Sequence, residues 1–99
     1  MSLADKVNAD LKEAMKNKDQ VTLRGVRAVK QALLLAQTEA GRDKEITSEQ
    51  EIKMLQKLVK QRKDSIEIFQ QQGRDDLAAK EAEEVEVIQR YLPQQMSED

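Results

Sequence analysis

Closely spaced lysines are the residues in this sequence whose type and spacing most clearly suggest chemistry. Lys53, Lys57 and Lys60 recur at steps of three and four, so on a helix they share one face. Between Ile52 and Lys63 there are five basic residues and no acidic one. A row of ammonium groups about one helical turn apart can contact the phosphates of a polyanion. The same row on a solvated helix face needs no partner, and both interpretations stay open.

Other basic residues extend this candidate phosphate-binding face. Lys63 belongs to the same stretch, and three lysines near the start of the chain would join it if the first helix packs nearby. The full candidate set is Lys53, Lys57, Lys60, Lys63, Lys12, Lys16 and Lys18.

Three further basic residues fall on or beside apolar helix faces. Arg62 and Lys30 each lie within the apolar face of their helix, and Arg27 lies at the edge of one. Long side chains can be buried along apolar surface, while the charge needs a carboxylate or carbonyl partner. A functional role is possible at these positions, but a structural one is favoured for Arg62. The acidic residues of the fourth helix are its candidate partners.

The sequence lacks the residues of most catalytic and metal sites. It contains no histidine and no cysteine, and its three glycines are too scattered to build a phosphate-binding loop. Asp64 and Ser65 are consecutive on a helix and point in different directions, which disfavours an activated serine. The glutamates of the fourth helix could gather a hard cation, but a solvated acidic face is the favoured interpretation. No catalytic residue, metal ligand or cofactor is predicted.

Start and stop signals predict four helices, over residues 3–16, 20–40, 48–72 and 76–91. Gly41, Gly73 and Pro93 follow three of them as stop signals. The predicted N-caps are Ser2 (in a capping box with Asp5), Asp19, Thr47 or Ser48, and Asp75.

Each predicted helix has an apolar face that should point into a shared core. The residues expected to face inward are Leu3, Val7, Leu11 and Ala14; Leu23, Val26, Leu33 and Leu34; Ile52, Leu55, Leu58, Val59, Ile66 and Phe69; and Leu77, Val85, Ile88 and Leu92. Gly25 lies outside the apolar face of the second helix. It is either an exposed glycine that the helix tolerates or a sign that another helix approaches closely there. Because short connections favour antiparallel neighbours, the sequence predicts an all-α fold, a small antiparallel bundle of about four helices with a long central third helix.

Length and charge fit one small domain over residues 1–92, with a tail at 93–99. The net charge of the 99 residues is −2, with +3 in residues 1–44 and −5 in residues 45–99, so a local basic surface can exist on an acidic protein. No long apolar run and no signal-peptide pattern is present, which predicts a cytoplasmic monomer without membrane association.

Five sequence blocks resemble one known family. They are Met15–Asp19, then Leu23 with Val26-Arg27 and Lys30, then Lys60–Ile66, Gly73–Leu77 and Tyr91–Glu98, in order and with compatible spacing. They are similar to the signature blocks of the YqeY-like proteins, which are related to the C-terminal tail of one subunit of the glutamyl/aspartyl-tRNA amidotransferase. The resemblance covers essentially the whole chain.

The resemblance implies an all-helical domain connected with tRNA. In the amidotransferase the related tail contacts tRNA, while a separate domain carries the chemistry. Family members usually continue into a second, smaller helical domain, which would begin in the tail at residues 93–99 and is expected to be absent here.

The sequence and the resemblance therefore leave three candidate functions. The leading hypothesis is a non-catalytic accessory domain that binds tRNA. The alternative is a helical interaction module that docks on an amidotransferase or an aminoacyl-tRNA synthetase without touching RNA. An amidotransferase-like activity, a carbon-nitrogen ligase using glutamine as amide donor, is the least favoured because the chain lacks catalytic residues.

Overall fold

The computed structural model describes residues 2–41 and 44–93, and these residues form four helices. They are α1 (Leu3–Asn17), α2 (Gln20–Ala40), α3 (Ser48–Gln71) and α4 (Asp75–Gln89). No strand is present in the described ranges. The predicted all-α class is confirmed, with every helix boundary within two residues of its expected position. All of the predicted tail except Pro93 lies outside the described residues.

Local capping explains where three of the helices begin. The Ser2 hydroxyl accepts a hydrogen bond from the Asp5 amide at 3.1 Å, and Thr47 accepts one from Gln50 at the same distance. The Asp19 carboxylate accepts one from the Thr22 amide at 3.2 Å. Each bond satisfies a backbone donor that the first helical turn leaves free. These predicted caps are confirmed.

The predicted cap of α4 is wrong. Asp75 is the first residue inside the helix, and Arg74 occupies the N-cap position without any side-chain capping bond. The Arg74 guanidinium instead binds the Asp76 carboxylate, at 3.1 and 3.2 Å. The carboxylates of Asp75 and Asp76 stabilise this helix start through its dipole rather than through a cap.

α2 is the helix that contacts all three others. α1 packs on α2, α4 packs on both α2 and α3, and α2 also contacts α3. The shared core draws on every helix; its completely enclosed side chains are Val7, Val26, Val29, Leu55, Val87 and Ile88. The third helix is the longest, as predicted, but the second organises the packing. No helix in the described part of the chain is both long and apolar enough to cross a membrane.

Gly25 marks a close contact between α2 and α4. A Cβ atom added at Gly25 would lie 2.5 Å from two side-chain atoms of Val87, a distance that real side chains do not adopt. Gly25 is buried, so the hypothesis of a close helix approach is confirmed and that of an exposed glycine is wrong. Val87, which was not among the expected core residues, fills the space that the missing side chain leaves.

One predicted core position of α2 is wrong. Leu34 is 59% exposed, and its neighbour Leu35 is 62% exposed. Val29, in contrast, is completely buried although it was not expected in the core. The buried arc of α2 runs around the helix from Gly25, where α4 packs, through Val29 and Leu33 to Leu23. Leu34 consequently falls beyond the opposite edge of that arc.

Candidate nucleic-acid interface

α3 presents its lysines to solvent because its opposite side is fixed in the core. Leu55 and Val59 are buried, and the capping box at Thr47 sets the helix start. Lys53, Lys57 and Lys60 lie on the far side of the helix from these two residues. All three side chains are exposed.

The three lysines differ in their electrostatic surroundings. The Lys60 ammonium lies 3.3 Å from the Asp64 carboxylate, with side-chain exposures of 77% and 62%. Such an exposed pair contributes at most about 1 kcal/mol to stability, but it places a negative charge within the lysine face. Lys53 and Lys57 have no ion-pair partner in the described ranges. These two are therefore the better placed to meet an external anion.

Lys53 and Lys57 lie beside an open groove between α2 and α3. We call it the α2–α3 groove; it has a volume of about 350 Å³. Its apolar lining comes from Leu35 of α2 and from Met54 and Leu58 of α3, with smaller side chains between them. The complete lining is Ala32, Leu35, Ala36, Glu39, Gln50, Lys53, Met54, Lys57, Leu58 and Gln61. The site is thus a concave, mainly apolar surface with two ammonium groups and one carboxylate, that of Glu39, along it.

The other candidate lysines are not brought to this groove. Lys63 is exposed and lies about 140° around α3 from Leu58. Lys12, Lys16 and Lys18 are also exposed, but α1 packs on α2, and within the described residues its backbone does not approach that of α3 closely. The condition under which they would extend the lysine face is not met, and they form a separate basic surface. The assignment of RNA binding to any of these lysines stays a prediction.

Arg62 lies between α3 and α4, against the acidic residues proposed as its partners. Its Nε donates to Glu84 Oε1 at 3.0 Å and lies 3.9 Å from Glu81 Oε2. Its Nη1 approaches the Leu58 carbonyl oxygen at 3.5 Å. The Arg62 side chain is 21% exposed and that of Glu84 19% exposed, so this pair is much better shielded from water than the one at Lys60.

Arg24 is a charged residue that no sequence pattern singled out. Its Nη2 donates to Glu83 at 2.8 Å, and its Nε lies 3.9 Å from Glu84. That Nε is buried and makes no hydrogen bond. Glu84 thus lies between the guanidinium groups of Arg24 and Arg62, joining α2, α3 and α4. No local signal marks Arg24, because its partners are 59 and 60 positions away in the sequence.

Lys30 and Arg27 do not resemble Arg62 in their surroundings. Lys30 is half-buried and Arg27 is exposed, and neither has an ion-pair partner in the described parts of the chain. Lys30 lines the clefts beside α1 with its stem near Leu33 and Leu34. This placement fits burial of an apolar stem, and a structural role for either charge stays a prediction.

Tyr91 connects the segment after α4 to α1. Its hydroxyl donates to the Asp10 carboxylate at 2.5 Å, and the Lys6 ammonium lies 5.5 Å from the ring centroid. Burial, followed by the hydrogen bond to Asp10, raises the pKa of Tyr91 well above its ordinary value. Half-buried and hydrogen-bonded, this ring is unsuited to stacking on a nucleic-acid base.

The acidic residues of α4 serve as partners for arginine. Glu81, Glu83 and Glu84 lie against the guanidinium groups of Arg24 and Arg62. Among the residues that the structure describes, no group of three acidic side chains is arranged to hold a metal ion. Their geometry supports packing between helices rather than coordination.

A comparison with known protein families identifies the family of this chain. The model of the family described as Yqey-like protein matches residues 4–99, nearly the whole sequence. The chain belongs to the YqeY-like family. This confirms the resemblance that the five sequence blocks indicated.

Curated relatives from yeasts match over most of this chain. The protein named "Altered inheritance of mitochondria protein 41, mitochondrial" is 36% identical over 91 residues in Clavispora lusitaniae, covering 92% of this chain and 52% of the relative. The protein of that name from Candida glabrata is 38% identical over 84 residues, covering 84% and 46%. The Saccharomyces cerevisiae protein is 36% identical over 88 residues, covering 89% and 47%. The chain spans about half the length of these YqeY-like relatives.

Proposed function

We propose that this chain is a non-catalytic accessory domain that binds tRNA through phosphate contacts from α3. The observation that carries the proposal is the exposure of Lys53 and Lys57, without an ion-pair partner among the described residues, beside a concave surface. Lys60 adds a third ammonium one turn further along the same face. The family relationship of YqeY-like proteins to the tRNA-contacting tail of the amidotransferase supplies the choice of RNA.

The proposed mode of recognition is by backbone and shape. The chain contains one Phe, one Tyr and no Trp, and Tyr91 is already bonded to Asp10. Proteins that read unpaired bases rely on aromatic stacking surfaces, which this chain cannot provide. Ammonium groups on a rigid helix position a phosphate backbone without reading its sequence. Different tRNAs should therefore bind with similar affinity.

The test is a filter-binding titration of the chain with bulk tRNA at several salt concentrations. If all three lysines of the α3 face meet phosphates, the logarithm of affinity should fall against the logarithm of salt concentration with a slope of roughly −2 to −3. The variant Lys53→Glu/Lys57→Glu/Lys60→Glu should lose binding. Its melting temperature should stay close to that of the wild type, since exposed lysines contribute little to folding.

A matched control reverses the same number of charges elsewhere. Lys12→Glu/Lys16→Glu/Lys18→Glu changes the net charge by the same amount on the separate basic surface of α1. It should retain most of the affinity, losing only the part due to overall charge. Loss of binding in this control, with retention in the α3 variant, would move the site to α1. Absence of binding by the wild-type chain would reject the proposal for this domain.

A second candidate function is a protein-interaction module that docks on an amidotransferase or an aminoacyl-tRNA synthetase. The apolar lining of the α2–α3 groove and the exposed Leu35 favour it. Amide transfer by this chain has no support from its residues, since the sequence contains neither histidine nor cysteine. A cytoplasmic location stays a prediction; the names of the yeast relatives place those proteins in mitochondria.

A further inference from the structure

The two ends of the surface between α2 and α3 are used differently. At one end α4 packs on both helices, with Val87 against Gly25 and Glu84 between Arg24 and Arg62. We call this region the α4 packing site. The α2–α3 groove begins about two turns further along α2, at Ala32, and is lined by α2 and α3 alone within the described residues. One side of α2 is thus covered by α4 in its first half and open in its second half.

α4 shows what kind of segment this surface accepts. It is an amphipathic helix whose Val85, Val87 and Ile88 are buried and whose glutamates contact basic residues of both underlying helices. The open groove repeats this chemistry with different residues. It offers an apolar lining that includes Leu35, Met54 and Leu58, flanked on α3 by the ammonium groups of Lys53 and Lys57, with the single carboxylate of Glu39 on α2.

Extending the second candidate function, we propose that the α2–α3 groove docks an acidic amphipathic helix of a partner protein, which lies along α2 beyond α4 and pairs its carboxylates with Lys53 and Lys57 when tRNA does not occupy them. Two observations select this occupant. The groove continues along the side of α2 that already holds an acidic helix, and Lys53 and Lys57 have no ion-pair partner among the described residues. In helix-in-groove docking the bound helix places apolar anchors, about one turn apart, against an apolar lining, and Met54 and Leu58 supply such a lining at the same spacing.

Leu35 is the residue that distinguishes docking from RNA binding. It is 62% exposed on the side of α2 that faces the groove, and it has no chemistry that phosphate would recognise. Leu34 precedes it with 59% exposure but lines the clefts on the α1 side instead. The two adjacent leucines therefore form a matched pair, one inside the proposed site and one outside it.

The experiment titrates the full chain, labelled with nitrogen-15, with two synthetic helical peptides. Both carry leucine at positions i, i+4, i+7 and i+11; one flanks them with glutamate and the other with lysine. The glutamate peptide should shift the amide signals of Ala32, Leu35, Met54 and Leu58, and it should bind more tightly than the lysine peptide. Leu35→Asp should weaken its binding by about tenfold or more, because a central apolar anchor is replaced by a charge that repels the peptide. Leu34→Asp should change its affinity by less than about twofold.

The outcomes separate this proposal from tRNA binding. Leu35→Asp should lower tRNA affinity only by the effect of one added negative charge. Leu34→Asp adds the same charge outside the groove, so its tRNA affinity measures that effect. Equal binding of the two peptides would overturn the proposal, as would equal effects of the two leucine substitutions on peptide affinity. If sedimentation shows a dimer that Leu35→Asp converts to monomer, the occupant is a second copy of this chain and the proposed partner helix is rejected.

Discussion

The α4 packing site and the α2–α3 groove lie along the same side of α2, but arginine is the basic residue at the first and lysine at the second. At the packing site Arg24 and Arg62 share Glu84, and the Arg62–Glu84 pair is about 80% shielded from solvent. Beside the groove stand Lys53 and Lys57, exposed and without a partner in the described residues. A guanidinium can donate to several acceptors at once and is weakly hydrated, whereas an ammonium is strongly hydrated. The arginines therefore complete the fold, and the lysines remain available to an external ligand.

The largest effect should come from adding volume at the packing site. Gly25→Val would place its side chain where Val87 lies and should destabilise the fold by about 3 kcal/mol, at the upper end for overpacking. Ala36→Val adds two carbons in the α2–α3 groove, where Gly25→Val adds three, and should cost less than about 1 kcal/mol, mostly through lower helix propensity. Urea unfolding of both variants gives the comparison. Adding Val87→Ala to Gly25→Val should recover part of the loss, and a similar cost for both single variants would mean that the groove is not open.

Removing a basic side chain from each region should give the next largest difference. Arg62→Ala leaves Glu84 without its nearest cation and removes a packed stem, so it should cost on the order of 1 to 3 kcal/mol. Lys57→Ala should change stability by no more than about 0.5 kcal/mol. The free energy of unfolding from urea titration measures both. Wild-type stability of Arg62→Ala, together with lost tRNA binding, would reassign Arg62 from the fold to the ligand site.

A smaller difference should separate two lysines within the proposed RNA-binding face. Lys57→Gln should lower tRNA affinity by up to about eightfold at 0.1 M salt, the effect of one lost phosphate contact. Lys60→Gln should lower it less, because Asp64 already offsets the charge of Lys60. Filter binding at constant salt distinguishes them. If the order of the two effects is reversed, the contact with RNA is centred beyond the groove, toward the second half of α3.

The smallest expected effect concerns pH at the helix starts. The pKa of Asp19 lies below its ordinary value because its carboxylate accepts hydrogen bonds from the Thr22 side chain and amide. As the pH falls, the Asp19 carboxylate is protonated in the unfolded chain before it is protonated in the folded one. The stability that Asp19 contributes is therefore present above its ordinary pKa of 3.8 and is lost as the pH falls through the lower pKa of the folded state. Thr47, which caps α3 near the groove, does not titrate.

Melting temperatures measured from pH 7 to pH 2 check this expectation. The wild-type chain should lose stability relative to Asp19→Asn as the pH falls below 4, because an asparagine cap does not titrate. Thr47→Ala is the control, and it should lower the melting temperature by the same amount at both ends of the range. A constant difference between wild type and Asp19→Asn would show that the cap does not contribute to acid sensitivity.

Local signals in the sequence predicted the helices well. Ser2, Asp19 and Thr47 begin their helices as expected, because a capping bond joins residues only three apart. Asp75 is not the cap because α4 begins one residue earlier than expected, with Arg74 at the N-cap position and no side-chain capping bond. Capping patterns thus locate a helix start to within one or two residues but do not choose among adjacent candidates.

Packing and site geometry were harder to predict because they depend on distant residues. Leu34 and Val29 both belong to apolar stretches of α2, and the way the other three helices pack on α2 decides which of them is buried. The inward position of Arg62 followed from the period of α3, whereas Arg24 carries no such signal. The lysine face could be predicted as a row, but not the pairing of Lys60 with Asp64 or the groove beside Lys53 and Lys57.

The hydrogen bond between Tyr91 and Asp10 has a consequence for how the chain folds. The two residues are 81 positions apart, whereas α1 and α2 form a local hairpin joined by Lys18 and Asp19. Closing a long loop costs conformational entropy before the contact at its ends stabilises the chain. Local hairpins therefore form early and contacts between distant residues form late. We therefore expect Tyr91 to reach Asp10 only after α3 and α4 have packed on α2. The hydrogen bond of Tyr91 should therefore form after the transition state of folding. Tyr91→Phe should then speed unfolding while leaving the folding rate nearly unchanged.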